Sequence, residues 1–413
     1  MTLVSVQASV PKGEVAGYVA PAFRPVFETF VRNFEAHGEV GAALCVIHEG
    51  EVVADLWGGS ADPKAERPWA QDTVVNIFSC TKAVLAVIAH RLAEQGKLDL
   101  DAPVTDLWPD YGVHGKERTT TRMMLDHTAG VPALREPVKD GGFLDWDYAT
   151  GRIAAEAPFF EPGTRSSYHG LTYAWTVGEM IRRADGRMAG RIFAEDIAAP
   201  LGLDFWIGLP EAVEDRVARV LRPRLDPDAP ATGFMRALQD RQSISALFFL
   251  NDGGFNPNKR EYRAVEIGSA NGVADARSLA RFYMPLSLGG TGGGVSLLGP
   301  DYLARLAQVS NASHEDATLR LPMRFGGGVM RSIDNRRLTD PPAPSLIIGE
   351  NAFGHGGAGG SIGFADPSAG LAFGYIMNQM GQGQLLNSRG QSLVDSAYSV
   401  LGFRSNDSGA WIR

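Results

Sequence analysis

Apolar residues recur at helical spacing near the start of the chain. Phe23, Phe27, Phe30, Val31 and Phe34 share one face of a helix predicted over Pro21 to His37, after a frayed N-terminal stretch. A hairpin follows: the apolar run Ala42 to His48, a turn at Glu49-Gly50, and a second extended run from Glu51 to Trp57 closed by Gly58-Gly59. Thr73 to Phe78 reads as a short extended segment. It leads into a helix whose stripe is Val84, Val87, Ile88 and Leu92 and whose stop is Gly96. From there to about residue 265 the pattern is helical, clearest over Leu171 to Ala184 and Met188 to Ala198. Two stretches, 133–165 and 222–262, are too long for simple connections and are expected to wall a site. Strand character returns at Met323 to Val329, Ser361 to Asp366 and Gly370 to Asn378, the last two forming a hairpin around Pro367-Ser368-Ala369. A helix over Gln391 to Leu401 follows. Strands at both ends and helices between them predict one sheet assembled from both termini. The expected division is 18–78 together with 266–413 as an α/β sheet domain, and 79–265 as a mostly helical domain.

At 413 residues the chain is two to three times the usual domain size and can bury a large core without staples. Its 39 basic and 47 acidic residues form no long run of one sign, which argues against a nucleic-acid surface. Two cysteines, Cys45 and Cys80, make neither a disulfide framework nor a zinc set, and the histidines lack zinc spacing, so no metal or cofactor is expected. The first twenty residues hold one cation, Lys12, and no long apolar core. The longest apolar stretches, such as Ala83 to Ala89, fall far short of the roughly twenty residues that cross a bilayer. A soluble, cytoplasmic protein is the expectation, with no membrane partner.

Ser79-Cys80-Thr81-Lys82 places a serine and a lysine on one helix face, with the serine at the N-terminus where the helix dipole favours developing negative charge. A lysine one turn on can polarise or deprotonate that hydroxyl. The same residues also read as a capping serine and a surface lysine. Ser9-Val10-Pro11-Lys12 fits the pattern too, but contains a proline and opens no amphipathic helix. Gly359-Gly360-Ser361-Ile362-Gly363 matches a nucleophile elbow literally. However, Phe364-Ala365-Asp366-Pro367 cannot start the required helix, and the last histidine, His355, lies upstream of Ser361. Gly354 to Gly359 matches a dinucleotide fingerprint but precedes a strand rather than opening a helix. His314-Glu315-Asp316 reads as a solvated polar loop, and His127 as a hydrogen-bonded structural residue at a helix end. Tyr168 alone reads as structural.

Together these segments resemble the serine β-lactamase and penicillin-binding protein superfamily, and more closely the class C β-lactamase-like esterases called family VIII carboxylesterases. The resemblance is carried by Phe78-Ser79-Cys80-Thr81-Lys82, Leu125-Asp126-His127-Thr128-Ala129-Gly130-Val131-Pro132 and Pro162-Gly163 followed by Tyr168. It continues through Pro200-Leu201-Gly202-Leu203, Ser269-Ala270-Asn271-Gly272 and Gly354-His355-Gly356-Gly357-Ala358-Gly359-Gly360, in order from about residue 25 to 405.

The resemblance implies a mixed α and β fold of the β-lactamase/transpeptidase type: an antiparallel sheet flanked by helices as a three-layer sandwich, plus a mostly helical domain. It implies Ser79 as the acylated nucleophile, Lys82 as its helix partner and Tyr168 as the tyrosine of a Tyr-x-Asn motif. Either a phenolate of Tyr168 or a neutral Lys82 then serves as base. His355, Gly356 and Gly357 stand where the family has Lys-Thr-Gly and are expected to line the substrate site. The backbone N–H groups of Ser79 and Ala358 are expected to form the oxyanion hole. Two departures matter. Gly170 replaces the asparagine that would contact an amide, and His355 replaces a fixed cation. Both favour an uncharged small-molecule ester, hence a serine carboxylesterase for short acyl chains. The alternatives on the same scaffold are a β-lactamase, D-amino-acid peptidase, amidase or acyltransferase, or a non-catalytic binding homologue.

Overall fold

The main sheet draws its strands from both ends of the chain. The computed structural model describes residues 2–224, 228, 230–338, 343–405 and 409–413. Of the stretch 222–262 expected to wall a site, residues 225–227 and 229 lie outside that set. The N-terminal part supplies β1 (Val4–Val10), β2 (Gly13–Val19), β3 (Gly41–His48) and β4 (Glu51–Asp62). The C-terminal part supplies β5 (Asn311–Ser313), β6 (Met323–Gly326), β7 (Val329–Arg331), β8 (Phe353–Gly356), β9 (Ile362–Asp366) and β10 (Leu371–Met377). They pair antiparallel in the order β1-β2-β4-β3-β10-β9-β8-β7-β6-β5, with Arg67–Pro68 as an eleventh short strand on β4. The two ends of the chain meet at β3 and β10, where Leu371 faces His48 and Met377 faces Ala42.

The helices are α1 (Arg24–Ala36), α2 (Lys82–Glu94), α3 (Trp146–Ala155), α4 (Tyr173–Asp185), α5 (Ile244–Leu250), α6 (Ala276–Ser287) and α7 (Ser388–Val400); α1 and α7 cover one face of the sheet and α2 and α6 the other. The unbroken apolar run of β3 follows from this. Ala42, Leu44 and Val46 pack with Phe27, Phe30 and Phe34 of α1 and with Leu393 and Val394 of α7. Ala43, Cys45 and Ile47 pack in the opposite cluster, with α2 and with Leu279 and Phe282 of α6. A strand buried on both sides needs apolar residues at every position rather than at alternate ones. The arrangement is the expected three-layer antiparallel sandwich.

The structure corrects three sequence expectations. The N-terminal stretch is not frayed but forms the β1–β2 hairpin, registered from Val4 opposite Val19 to Val10 opposite Gly13. Met323 to Val329 is not one strand: the chain turns at Gly327-Gly328 between β6 and β7. The segment Gly354 to Gly359, expected to precede a strand, itself contains part of one, β8, with His355 paired to Gly363 of β9. Among the described residues, no helix is long and apolar enough to cross a membrane, and no group of three or more His, Cys, Asp or Glu is placed to hold a metal.

Candidate active site

The segment carrying Ser79 is pinned before its helix begins. Val75-Asn76 pairs with Val273-Ala274, and the Ile77 amide donates to the Gly272 carbonyl at 2.9 Å. Thr81 Oγ1 donates to the Phe78 carbonyl at 2.6 Å and accepts from the Gly272 amide at 3.0 Å. Phe78 is held at φ 48, ψ −128, a conformation that costs a non-glycine residue about 1–3 kcal/mol and turns the chain sharply into Ser79. A short 3₁₀ turn over Ser79–Thr81 then runs into α2, so Ser79 and Lys82 stand one turn apart as their spacing predicts.

Lys82 is completely buried. Its Nζ lies 2.7 Å from the Gly170 carbonyl oxygen, 2.8 Å from that of Ser269 and 3.1 Å from Ser79 Oγ. Burial holds its pKa well below the usual lysine range. The only charge-type influence in the other direction comes from Cys80, itself a buried thiol pushed up to about 12 and therefore neutral. Tyr168 stands beside the same oxygen: Ser79 lowers the pKa of its phenol, and Lys82 Nζ sits 4.8 Å from its ring centre. Burial raises the phenol above its usual range, outweighing the influence of Ser79. Ser79 itself is only partly buried. Ser79, Lys82 and Tyr168, far apart in the chain, therefore lie together in the fold.

Tyr168 is placed by a residue that sequence reasoning missed. Asp316 is fully buried, not solvated, with its carboxylate pushed up by burial. Its Oδ1 accepts the backbone N–H groups of Tyr168, Thr318 and Leu319, each at 3.0 Å, and its Oδ2 accepts Ser166 Oγ at 2.9 Å. Nothing in the local pattern His314-Glu315-Asp316 distinguishes this carboxylate from its exposed neighbour. Behind the tyrosine, His127 accepts the His169 amide on Nδ1 at 3.1 Å and packs its ring 4.7 Å from that of Tyr168. It is structural, as expected, and neutral because burial depresses its pKa.

On the opposite side, β8 and β9 bring the glycine loop against the Ser79 turn. His355 is buried, its Nδ1 2.7 Å from the Gly356 carbonyl, and burial followed by the Lys82 charge lowers its pKa to about 3. It is a neutral imidazole with Nδ1 as donor, its ring centre 6.2 Å from that of Tyr168. The Gly357 amide donates to the Ser361 carbonyl at 2.7 Å, closing the loop. Gly357 approaches so near the turn that an added Cβ would lie 2.3 Å from the Ile77 carbonyl oxygen. Among the described residues, the backbone N–H groups of Ser79 and Ala358 donate to no protein acceptor. Ser361 Oγ is buried without a partner at the start of β9, with no helix behind it. Among the aromatic residues of the two long stretches expected to wall a site, Phe143 stacks on Trp175, Trp146 donates to Glu179 and Phe255 packs on Tyr262. Phe248 alone reaches the site, edge-on to Tyr168 at 6.3 Å.

With this geometry in view, the comparisons with known proteins are direct. The family description Beta-lactamase matches residues 27–396. The chain belongs to the β-lactamase family. Within that family it is 33% identical over 371 residues to the Esterase/beta-lactamase LipL of Mycobacterium tuberculosis, covering 89% of this chain and 83% of that one. A penicillin-binding protein homologue from Caulobacter crescentus superimposes with a TM-score of 0.82 at 36% identity, over 96% of this chain and 100% of the other. A family VIII carboxylesterase superimposes with a TM-score of 0.81 at 34% identity over the same shares.

Proposed function

We propose that the protein is a serine carboxylesterase that hydrolyses uncharged short-chain acyl esters through an acyl-enzyme on Ser79. The observation that carries the reading is the environment of Lys82 Nζ. A neutral amine has two N–H bonds and one lone pair. The Gly170 and Ser269 carbonyls take the two N–H bonds, which leaves the lone pair for the Ser79 O–H at 3.1 Å. An ammonium could also place its three N–H bonds on these three oxygens; burial, which depresses the lysine pKa, selects the neutral amine.

In this mechanism Ser79 Oγ attacks the ester carbonyl carbon while its proton passes to Lys82. The oxyanion is received by the Ser79 and Ala358 N–H groups, a contribution worth about 10²–10³ in rate per donor. Collapse breaks the acyl–oxygen bond. The proton returns through the Tyr168 hydroxyl to the leaving alkoxide, a role that suits a phenol kept protonated by burial. Water then attacks the acyl-enzyme, giving its proton to Lys82, and Ser79 leaves with a proton as the acid departs. The neutral imidazole of His355 and the absent side chain at Gly170 leave no fixed charge and no amide for a β-lactam or peptide carboxylate to meet. Esterase function also appears in the names of LipL and of the superimposed carboxylesterase.

The test is fluorophosphonate labelling of Ser79→Ala and Ser361→Ala beside wild type, together with kcat/KM on p-nitrophenyl butyrate and on nitrocefin. Labelling is expected to vanish only in Ser79→Ala, with the butyrate ester preferred. Loss of labelling in Ser361→Ala alone would refute the nucleophile, and a higher kcat/KM on nitrocefin would refute the substrate class.

A further inference from the structure

Gly170 is buried and its backbone is not in the left-handed region, so conformation alone would admit any residue there. Space does not. A Cβ on Gly170 would lie 1.8 Å from Cε2 of Phe248 and 2.7 Å from its Cδ2, far inside contact distance. The phenyl ring occupies the volume that a side chain at 170 would fill.

Phe248 is not a loose surface aromatic. Its helix, α5, is capped by Ser243, whose Oγ accepts the Ala246 amide at 3.1 Å and donates to the Ala237 carbonyl at 2.6 Å. Ser245, buried one turn before the ring, donates to the Thr318 carbonyl at 2.7 Å, next to the Asp316 turn that holds Tyr168. At the end of α5, Asn251 donates to the carbonyls of Leu134 at 2.8 Å and Glu136 at 3.0 Å and accepts the Val138 amide at 2.7 Å. The ring stands edge-on to Tyr168, the neighbour of the nucleophile, and is only half-buried.

We propose that Phe248 is a specificity-determining residue. It forms the apolar wall that limits the chain length of the substrate, and position 170 is glycine because the ring needs its space. The inference rests on the ester-hydrolase reading and adds to it the group that sets substrate size. A chain that outgrows the wall must displace a ring fixed by four neighbouring segments. Removing the ring opens room in which each further buried methylene strengthens transition-state binding about fourfold, so two accommodated methylenes give about tenfold or more.

The experiment measures kcat/KM for wild type, Phe248→Ala, Phe248→Leu and Phe248→Trp on p-nitrophenyl esters from acetate to octanoate and on acetates of lengthening alcohols, with thermal midpoints recorded. In one of the two series, Phe248→Ala is expected to raise the ratio of longest to shortest substrate about tenfold and Phe248→Trp to lower it. The series that responds identifies the side of the carbonyl facing the ring. Gly170→Ala is expected to impair wild type but to be much less harmful in the Phe248→Ala background. If wild type hydrolyses esters while Phe248→Ala and Phe248→Leu keep its chain-length profile in both series, the inference is overturned. Additive effects of Gly170→Ala and Phe248→Ala would overturn the shared-space claim. If wild type hydrolyses no ester, the function reading fails first and takes this one with it. Phe248→Leu carries the test should the alanine variant not fold.

Discussion

Gly357→Ala should separate catalysis from binding and folding. The added Cβ would sit 2.3 Å from the Ile77 carbonyl oxygen and 3.3 Å from Cys80 Sγ. Ordinary contact needs about 3.5 Å, so the loop must retreat by about 1 Å, because the turn beneath it is held by the Ile77–Gly272 and Thr81–Phe78 bonds. The next residue is Ala358, whose N–H is proposed to meet the oxyanion. A displacement of about 1 Å at such a donor costs about 10²-fold in kcat, equivalent to about 2.7 kcal/mol of transition-state stabilisation. KM should change little, because the donor's full strength is expressed only against the developing charge. The neighbouring variant Gly356→Ala provides the contrast: its Cβ would find its nearest atom, the Ser361 carbonyl oxygen, at 3.9 Å, an ordinary contact. Steady-state hydrolysis of p-nitrophenyl butyrate, with thermal unfolding as a control, tests the pair. The reasoning fails if Gly357→Ala keeps kcat within threefold of wild type, or if Gly356→Ala is damaged as severely.

Two further outcomes follow from buried charges. With neutral Lys82 as base, kcat/KM should rise with pH through the depressed lysine pKa, since deprotonation creates the active form, and the raised pKa of Tyr168 should preserve activity well into alkaline pH. Because His169 and His355 are each lowered to about 3, neither should contribute a limb near pH 6.5, and a limb there that His355→Gln removes would contradict the assignment. Glu39→Ala should cost about 3–5 kcal/mol in urea unfolding, because Arg389, paired to it at 2.8 Å with only 4% of its side chain exposed, is left as an uncompensated buried charge. A loss under about 1 kcal/mol would show that the pair is hydrated.

Elements with strong local signals were legible in the sequence. The β3–β4 hairpin, α1 and α2 announce themselves through apolar runs, turn residues and helical spacing, and Ser79 and Lys82 come with α2. The β1–β2 hairpin carries a weaker signal: Val4, Val6, Ala8 and Val10 alternate before a turn at Pro11-Lys12. Only Val6 of that strand is buried, so the alternation marks an edge rather than a core. The sequence of β8, Phe-Gly-His-Gly, has almost no strand propensity. It is extended because β9 and β7 hydrogen-bond to its backbone, a consequence of the completed sheet. Asp316 was illegible for a similar reason: it acts on Tyr168, 148 positions away, and carboxylate burial leaves no trace in neighbouring letters.

The distribution of acids around the site accounts for its chemistry. An anion within about 4–6 Å would raise the pKa of Lys82 by about 1–3 units and hold it as an inert ammonium. The chain instead surrounds Nζ with two backbone carbonyls and a hydroxyl, and burial rather than those dipoles depresses its pKa. The buried carboxylate behind Tyr168, Asp316, is turned toward three backbone amides and a serine, which absorb its acceptor capacity. The three neighbouring imidazoles, His127, His169 and His355, are all kept neutral by burial. Lys82 and Asp316 are thus both buried without pairing to each other, and under the proposed mechanism the lysine keeps the lone pair that Ser79 needs. In that mechanism, moving the acid into contact with Nζ would strengthen the local electrostatics and remove the base.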